Sequence, residues 1–123
     1  MGRTTKKETA FAPHPRWRVA AGKNIAVGPG KIELLALIAE TGSITKAASR
    51  MGMSYMRAWS LVKTMNECFS LPVVSTERGG RQRGGATLTS TGRQLLKLYR
   101  QMERVSHKAI QPQWRALARL LNK

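Results

Sequence analysis

Few side chains of this 123-residue chain are equipped to make or break a covalent bond. There are two histidines, His14 and His107, one cysteine, Cys68, and six carboxylates in all. None falls at a spacing that pairs a nucleophile with a base, an acid with a base, or the ligands of a metal ion. No catalytic residue, no metal site and no enzymatic activity is expected. The glycines from Gly80 to Gly85 superficially resemble a phosphate-binding loop, but Ala86-Thr87 stands where Lys-Ser/Thr is required. A single cysteine excludes an internal disulfide, so Cys68 reads as a small buried hydrophobe in a reducing compartment. The cations are the unusual feature. Twenty-two Lys and Arg oppose six Asp and Glu, a formal net charge of +16. Such an excess repels itself and calls for a polyanionic partner.

Cationic and hydrogen-bonding side chains converge on one helical face between Ser54 and Phe69. At 100° per residue, Ala58, Leu61, Val62, Met65 and Phe69 gather on one side. Met56, Ser60, Lys63, Thr64 and Glu67 gather opposite, with Arg57 beside them. The N-terminal half of that second face suits the base edges in a groove of double-stranded DNA. Upstream, Ser43 is placed to cap a short helix from Ile44 to Met51, and Ser54 to cap the next. Ala47 and Ala48 let the two backbones cross closely, and Gly52 sits in the turn. Residues 43–69 therefore read as a helix-turn-helix. Downstream, Val73-Val74 and Ala86-Thr87-Leu88 are short apolar strands around the basic, Gly-rich stretch from Glu77 to Gly85. That hairpin is a wing, whose Arg78, Arg81 and Arg83 would reach phosphates or an adjacent minor groove. Lys46 and Arg50 are further candidate backbone contacts.

The remaining elements must position this unit. Residues 1–15 read as a disordered basic arm. Arg16 to Ala20 alternates like a half-buried strand, with Trp17 and Val19 on one side. Gly22-Lys23-Asn24 turns it back into Ile25-Ala26-Val27. Trp17 and Trp59 read as core. Lys31 to Glu40 is a helix with Ile32, Leu35 and Ile38 on one face, flanked by Leu34 and Leu37, and closed by Gly42. Thr89 or Ser90 caps a long helix over residues 90–111, whose Leu95, Leu98, Met102, Val105 and Ala109 form a coiled-coil-like seam. Pro112 is expected to break it, leaving an amphipathic helix within residues 112–123 built on Trp114, Leu117, Leu120 and Leu121. The fold class is mainly α with small β-hairpins: a winged helix-turn-helix in residues 16–111 (wing 73–88), with an N-terminal hairpin and a long C-terminal dimerisation helix. One copy reads too few base pairs to select a site, so a homodimer on a pseudo-palindrome is expected, joined through Leu95, Leu98, Tyr99, Met102 and Val105.

The stretch Gly42-Ser-Ile-Thr-Lys-Ala-Ala-Ser-Arg-Met-Gly-Met-Ser-Tyr55, followed by Ala58-Trp59 and Met65-Asn66, closely resembles the N-terminal domain of ModE-type molybdate-responsive transcriptional regulators. The Gly-Gly…Gly-Gly-Ala wing, Leu88-Thr-Ser-Thr-Gly92 and Ala26-Val-Gly-Pro-Gly-Lys-Ile-Glu-Leu-Leu35 extend the likeness over roughly residues 17–110. The helix-turn-helix of LysR-type regulators is similar at greater distance. The resemblance implies a winged-helix dimer, with the long helix and N-terminal hairpin in the contact. It also implies base reading by Ser54, Tyr55, Arg57, Ser60 and Lys63. Full-length members carry C-terminal oxyanion-binding domains. A stand-alone DNA-binding module is therefore expected, with no cofactor of its own, molybdate entering by resemblance only, and any effector sensed by a separate protein.

Two other functions suit parts of the sequence. Arg93, Lys97, Arg100, Arg104, Lys108, Arg115, Arg119 and Lys123 face only Glu103 in the C-terminal part, which suits a non-specific nucleoid-type architectural protein. The basic amphipathic tail from Trp114 to Lys123 suits an anionic membrane surface, although its apolar face is more simply covered by a partner subunit. The first residues carry no apolar signal region, and no run approaches the roughly 18 apolar residues of a membrane span. A cytoplasmic, nucleoid-associated location without membrane contact is expected.

Overall fold

A computed structural model of the chain describes residues 11–77 and 85–122. Most of the basic arm expected over residues 1–15, and the wing-tip arginines Arg78, Arg81 and Arg83, lie outside the described residues. The elements run β1 (Val19–Ala21), β2 (Asn24–Val27), α1 (Pro29–Thr41), α2 (Ile44–Met51), α3 (Tyr55–Cys68), β3 (Val74–Thr76), β4 (Ala86–Leu88), α4 (Ser90–Ala109) and α5 (Gln111–Ala118). This is the winged helix-turn-helix architecture, with both hairpins antiparallel and two-stranded.

α1 is the centre of the molecule. Pro29 opens it in the first turn, where its missing N–H is no loss. Ile32, Leu34, Leu35 and Ile38 are all buried, and Leu37 is partly so. These positions wrap round the helix rather than forming one stripe, so α1 needs cover on several sides. It receives this cover from α2, α3, α4, β2 and β4.

The wing is fastened at its base by three elements. Val74, Ser75 and Thr76 pair with Leu88, Thr87 and Ala86. The Ala86 N–H reaches the Gly42 carbonyl at 3.0 Å, so β4 also touches the link between α1 and α2. From α3, the Asn66 carboxamide oxygen accepts from the Val73 and Val74 N–H groups at 2.8 and 3.1 Å. Its amide nitrogen donates to the Val74 carbonyl at 3.2 Å. From the start of α4, Thr89 donates through its N–H to the Val73 carbonyl (3.0 Å) and through its hydroxyl to the Pro72 carbonyl (2.6 Å).

α4 projects well past the core. Among its residues only Gly92 and Tyr99 are buried, with Leu95 and Leu96 packed against the core at its edge. The seam read from the sequence is therefore split. Tyr99, expected at a dimer contact, is 1% exposed, and its hydroxyl donates to the Trp17 carbonyl at 2.6 Å. Leu95 also turns inward. The physical reason for Tyr99 is that the N-terminal segment crosses α4 at Trp17, whereas Leu95 packs against the core itself. Leu98, Met102 and Val105 remain exposed.

Other boundaries shift slightly. The long helix breaks near Pro112 as expected, but at Ile110: α5 begins at Gln111 with the proline in its first turn, a position that tolerates it, and closes at Ala118. Trp17 and Trp59 are not core residues but stand 43% and 40% exposed. Trp17 precedes β1 and donates through its indole N–H to the Ser106 hydroxyl at 3.0 Å. Trp59 lies off the buried side of α3, where Ala58, Val62 and Met65 face the core. Cys68 is half-buried rather than enclosed.

A Cβ built on Gly92 would lie 2.0 Å from the Val73 carbonyl oxygen, which no side chain tolerates. Gly92→Ala is expected to cost at least the roughly 1–3 kcal/mol of an overpacked core, lowering the melting temperature by about 4 °C or more. Gly30→Ala, with open space around it, is expected to leave the transition unchanged or slightly raised in thermal unfolding followed by circular dichroism.

Candidate nucleic-acid interface

The two helices of the motif begin on side-chain caps. The Ser43 hydroxyl accepts the Lys46 N–H at 3.0 Å, and the Ser54 hydroxyl accepts the Arg57 N–H at 3.1 Å. Each cap satisfies an amide that a helix start leaves without a partner, worth about 1 kcal/mol. Between the helices, Gly52 adopts φ 70°, a left-handed conformation that a Cβ would disfavour. Its N–H turns back to the Ser49 carbonyl, and that of Met53 to the Ala48 carbonyl. Ala47 and Ala48 are buried where the two helices approach.

With Ala58, Val62 and Met65 sealed inside, the opposite side of α3 is bare. Met56 is 69% exposed, and Ser60, Lys63 and Glu67 are exposed beside it. Lys63 lies 5.9 Å from the Trp59 ring centre and 3.6 Å from the Glu67 carboxylate, both solvent-facing arrangements of modest strength. Thr64 is half-buried, its hydroxyl donating to the Ser60 carbonyl at 3.1 Å. Tyr55 is exposed in the first turn. Arg57 leaves the outermost line of the helix and stands on its flank with Leu61, lining a cleft against the N-terminal hairpin.

The structure thus brings Met56, Ser60 and Lys63 to one open side of α3, with Ser54 and Tyr55 exposed at its N-terminal end and Arg57 on its flank. Lys46 and Arg50 are exposed on neighbouring α2. Arg50 already holds a partner, its guanidinium 2.8 Å from the Glu40 carboxylate of α1. That pair was not legible in the sequence, because it joins two helices across the Gly42 turn. Asn66 was also missed as a functional position. It belongs to the motif yet carries the wing rather than contacting a ligand.

Trp17, Leu98, Gln101, Met102, Val105 and Ser106 line an apolar groove of about 500 Å³ on α4. No helix among the described residues is long and apolar enough to cross a membrane, and no cluster of potential metal ligands occurs among them.

A short helix, a glycine turn, a second helix with one bare polar side and an adjoining β-hairpin define a helix-turn-helix protein of the winged class. The chain belongs to the bacterial regulatory helix-turn-helix proteins of the lysR family, whose family model matches residues 30–93, from the first turn of α1 to that of α4. It is 43% identical over 77 residues to the molybdenum-pterin-binding protein MopB of Rhodobacter capsulatus, covering 63% of this chain and 28% of that protein. To the molybdenum transport protein ModE of Azotobacter vinelandii it is 41% identical over 78 residues, covering 63% of this chain and 29% of the relative. To the DNA-binding transcriptional dual regulator ModE of Escherichia coli it is 38% identical over 81 residues, covering 66% and 31% respectively. The chain therefore spans about three tenths of the length of these relatives.

Burial pushes the Tyr99 hydroxyl above its ordinary value near 10, and the Glu103 carboxylate adds to this against the opposing pull of Arg18 and Arg100. A phenol whose folded value is raised lends stability below its unfolded value and loses it as pH climbs through the folded one. Denaturant midpoints of the wild type are expected to fall above about pH 10 relative to those of Tyr99→Phe, which lacks this ionisation. Parallel curves for the two proteins across that range would show that Tyr99 is not enclosed.

Proposed function

We propose that the chain is a sequence-specific, double-stranded-DNA-binding transcriptional regulator of the ModE type, non-enzymatic and acting as a homodimer. The observation that carries this reading is the side of α3 left uncovered by the core, where Met56, Ser60 and Lys63 stand exposed. A helix about 10–12 Å across fills a major groove about 12 Å wide. Ser60 and Lys63 then meet base edges, with Ser54, Tyr55 and Thr64 bordering them. Lys46 contacts phosphate, and Arg50 does so after exchanging Glu40 for the backbone. Arg78, Arg81 and Arg83 complete the contact from the wing.

Dimerisation is supported by the apolar groove around Leu98, Met102 and Val105, the last 61% exposed. Two copies joined there present two reading helices to half-sites separated by whole turns of about 34 Å. Molybdate has no step in this reading. An effector sensed by a separate protein remains part of the proposal. A soluble, cytoplasmic location follows from a genomic target.

Ser60→Ala is expected to lose about 1–3 kcal/mol on the preferred operator and little on random duplex. Lys46→Ala should weaken both alike and flatten the salt dependence by about 0.9. Anisotropy titrations over a salt series measure both. Equal losses on every duplex for both variants would refute base reading by α3. In analytical ultracentrifugation, Leu98→Glu and Met102→Glu should convert a dimer to monomer. A wild type that sediments as a monomer, on and off DNA, would end the dimer proposal.

A further inference from the structure

The cleft beside Arg57 has a composition of its own. It measures about 360 Å³ and is walled by Arg16 and Arg18 from the N-terminal segment, Lys31 from α1 and Arg57 from α3. Met53 and Leu61 form its apolar side, and no acidic residue lines it. None of its four cations takes part in an ion pair among the described residues. In a chain where Arg50, Lys63 and Arg100 all hold carboxylates, four like charges collected without one are costly unless an anion joins them.

The Arg18 and Lys31 side chains and the backbone at Arg16 are also held in place. The Trp17 carbonyl receives the Tyr99 hydroxyl, and the Trp17 indole is tied to Ser106, so the backbone between Arg16 and Arg18 is fixed to α4. The Arg18 side chain passes within 3.3 Å of where a Cβ on Gly28 would lie, so its stem rests against a residue that has none. The Lys31 ammonium is anchored to the Ile25 carbonyl.

We propose that this cleft seats a backbone phosphate of bound DNA, with Arg16, Arg18, Lys31 and Arg57 neutralising it. The inference rests on the proposed insertion of α3 into a major groove. A helix that fills the groove brings both of its flanks against the sugar-phosphate ridges. The flank bearing Arg57 and Leu61 is the one that opens on this cleft. Arg57 thereby contributes affinity rather than sequence preference, and the N-terminal hairpin becomes part of the DNA-binding surface. The contact lies across α3 from Trp59 and is separate from the wing.

The test is the salt dependence of full-chain binding to two duplexes, one of preferred and one of random sequence. In the Arg16→Gln/Arg18→Gln double variant, loss of the one phosphate seated here flattens the slope of log affinity against log salt by up to about 0.9. Between about 50 and 200 mM salt the variant then loses up to about 3.5-fold less affinity than the wild type, on both duplexes alike. Arg57→Gln flattens the slope in the same direction, by no more than about 0.9, and leaves the preferred sequence unchanged. An unaltered slope in the double variant, while Lys46→Ala still flattens it, overturns the cleft contact alone. A wild type that binds neither duplex overturns the proposed function with it. An altered preference in Arg57→Gln returns that residue to base reading and overturns its place here. Inorganic phosphate is added at constant ionic strength as a further arm. If it shifts the tryptophan emission of the wild type but not of the double variant, and the DNA slopes coincide, the cleft takes a free anion instead.

Discussion

The architecture depends on the need to cover α1 on several sides. Ile32, Leu34, Leu35 and Ile38 retain at most 1% of their surface, which a single neighbouring layer cannot achieve for positions distributed round a helix. Burying an aliphatic side chain fully is worth about 1.5–3 kcal/mol, so each of these side chains favours cover on its own side of α1. α2, α3, β2, β4 and the first half of α4 are all drawn onto it. Each satisfies α1 with one face only. For α3 this means Ala58, Val62 and Met65 point inward while the polar side has nothing to cover it. The exposed face is a by-product of the central helix being enclosed.

Electrostatics then distinguishes one side of the molecule from another. The three ion pairs among the described residues, Arg50–Glu40, Lys63–Glu67 and Arg100–Glu103, are solvent-exposed and contribute little to stability. They do matter for what remains uncompensated. With six acidic residues in the whole chain, few carboxylates are left to balance the hairpin, α2 and the flank of α3. A compact fold with this imbalance is more comfortable beside a polyanion than alone.

Local signals in the sequence were sufficient for most of the fold. Ser43 and Ser54 cap where their residue type and position said they would, and of the two candidates Thr89 and Ser90 it is Thr89 that caps α4, because a cap is settled within three residues of chain. The limits of α2 follow from the same short-range chemistry. Contacts made at long range were not legible. The apolar period of α4 cannot tell a residue covered by its own chain from one awaiting a partner, so Tyr99 and Leu95 were grouped with Leu98, Met102 and Val105. Trp17 and Trp59 were assigned to the core on hydrophobicity, but a large ring with a polar edge settles equally well at a boundary. On α3, periodicity identified the open face correctly. That Arg57 borders a cleft built by Arg16, Arg18 and Lys31 depended on how the N-terminal hairpin docks, which no pattern within α3 contains.

The joint at Val73 has a mechanical consequence. One peptide unit is gripped by Asn66 from α3 and by Thr89 from the start of α4, with Gly92 pressed against it. The base of the wing, α3 and the start of α4 are therefore tied together at one joint. In the proposed dimer, a change in the angle at which the two projecting helices cross would be carried through that joint to the spacing of the two copies of α3. Whatever sets that crossing angle also chooses the ruler by which the pair measures its target.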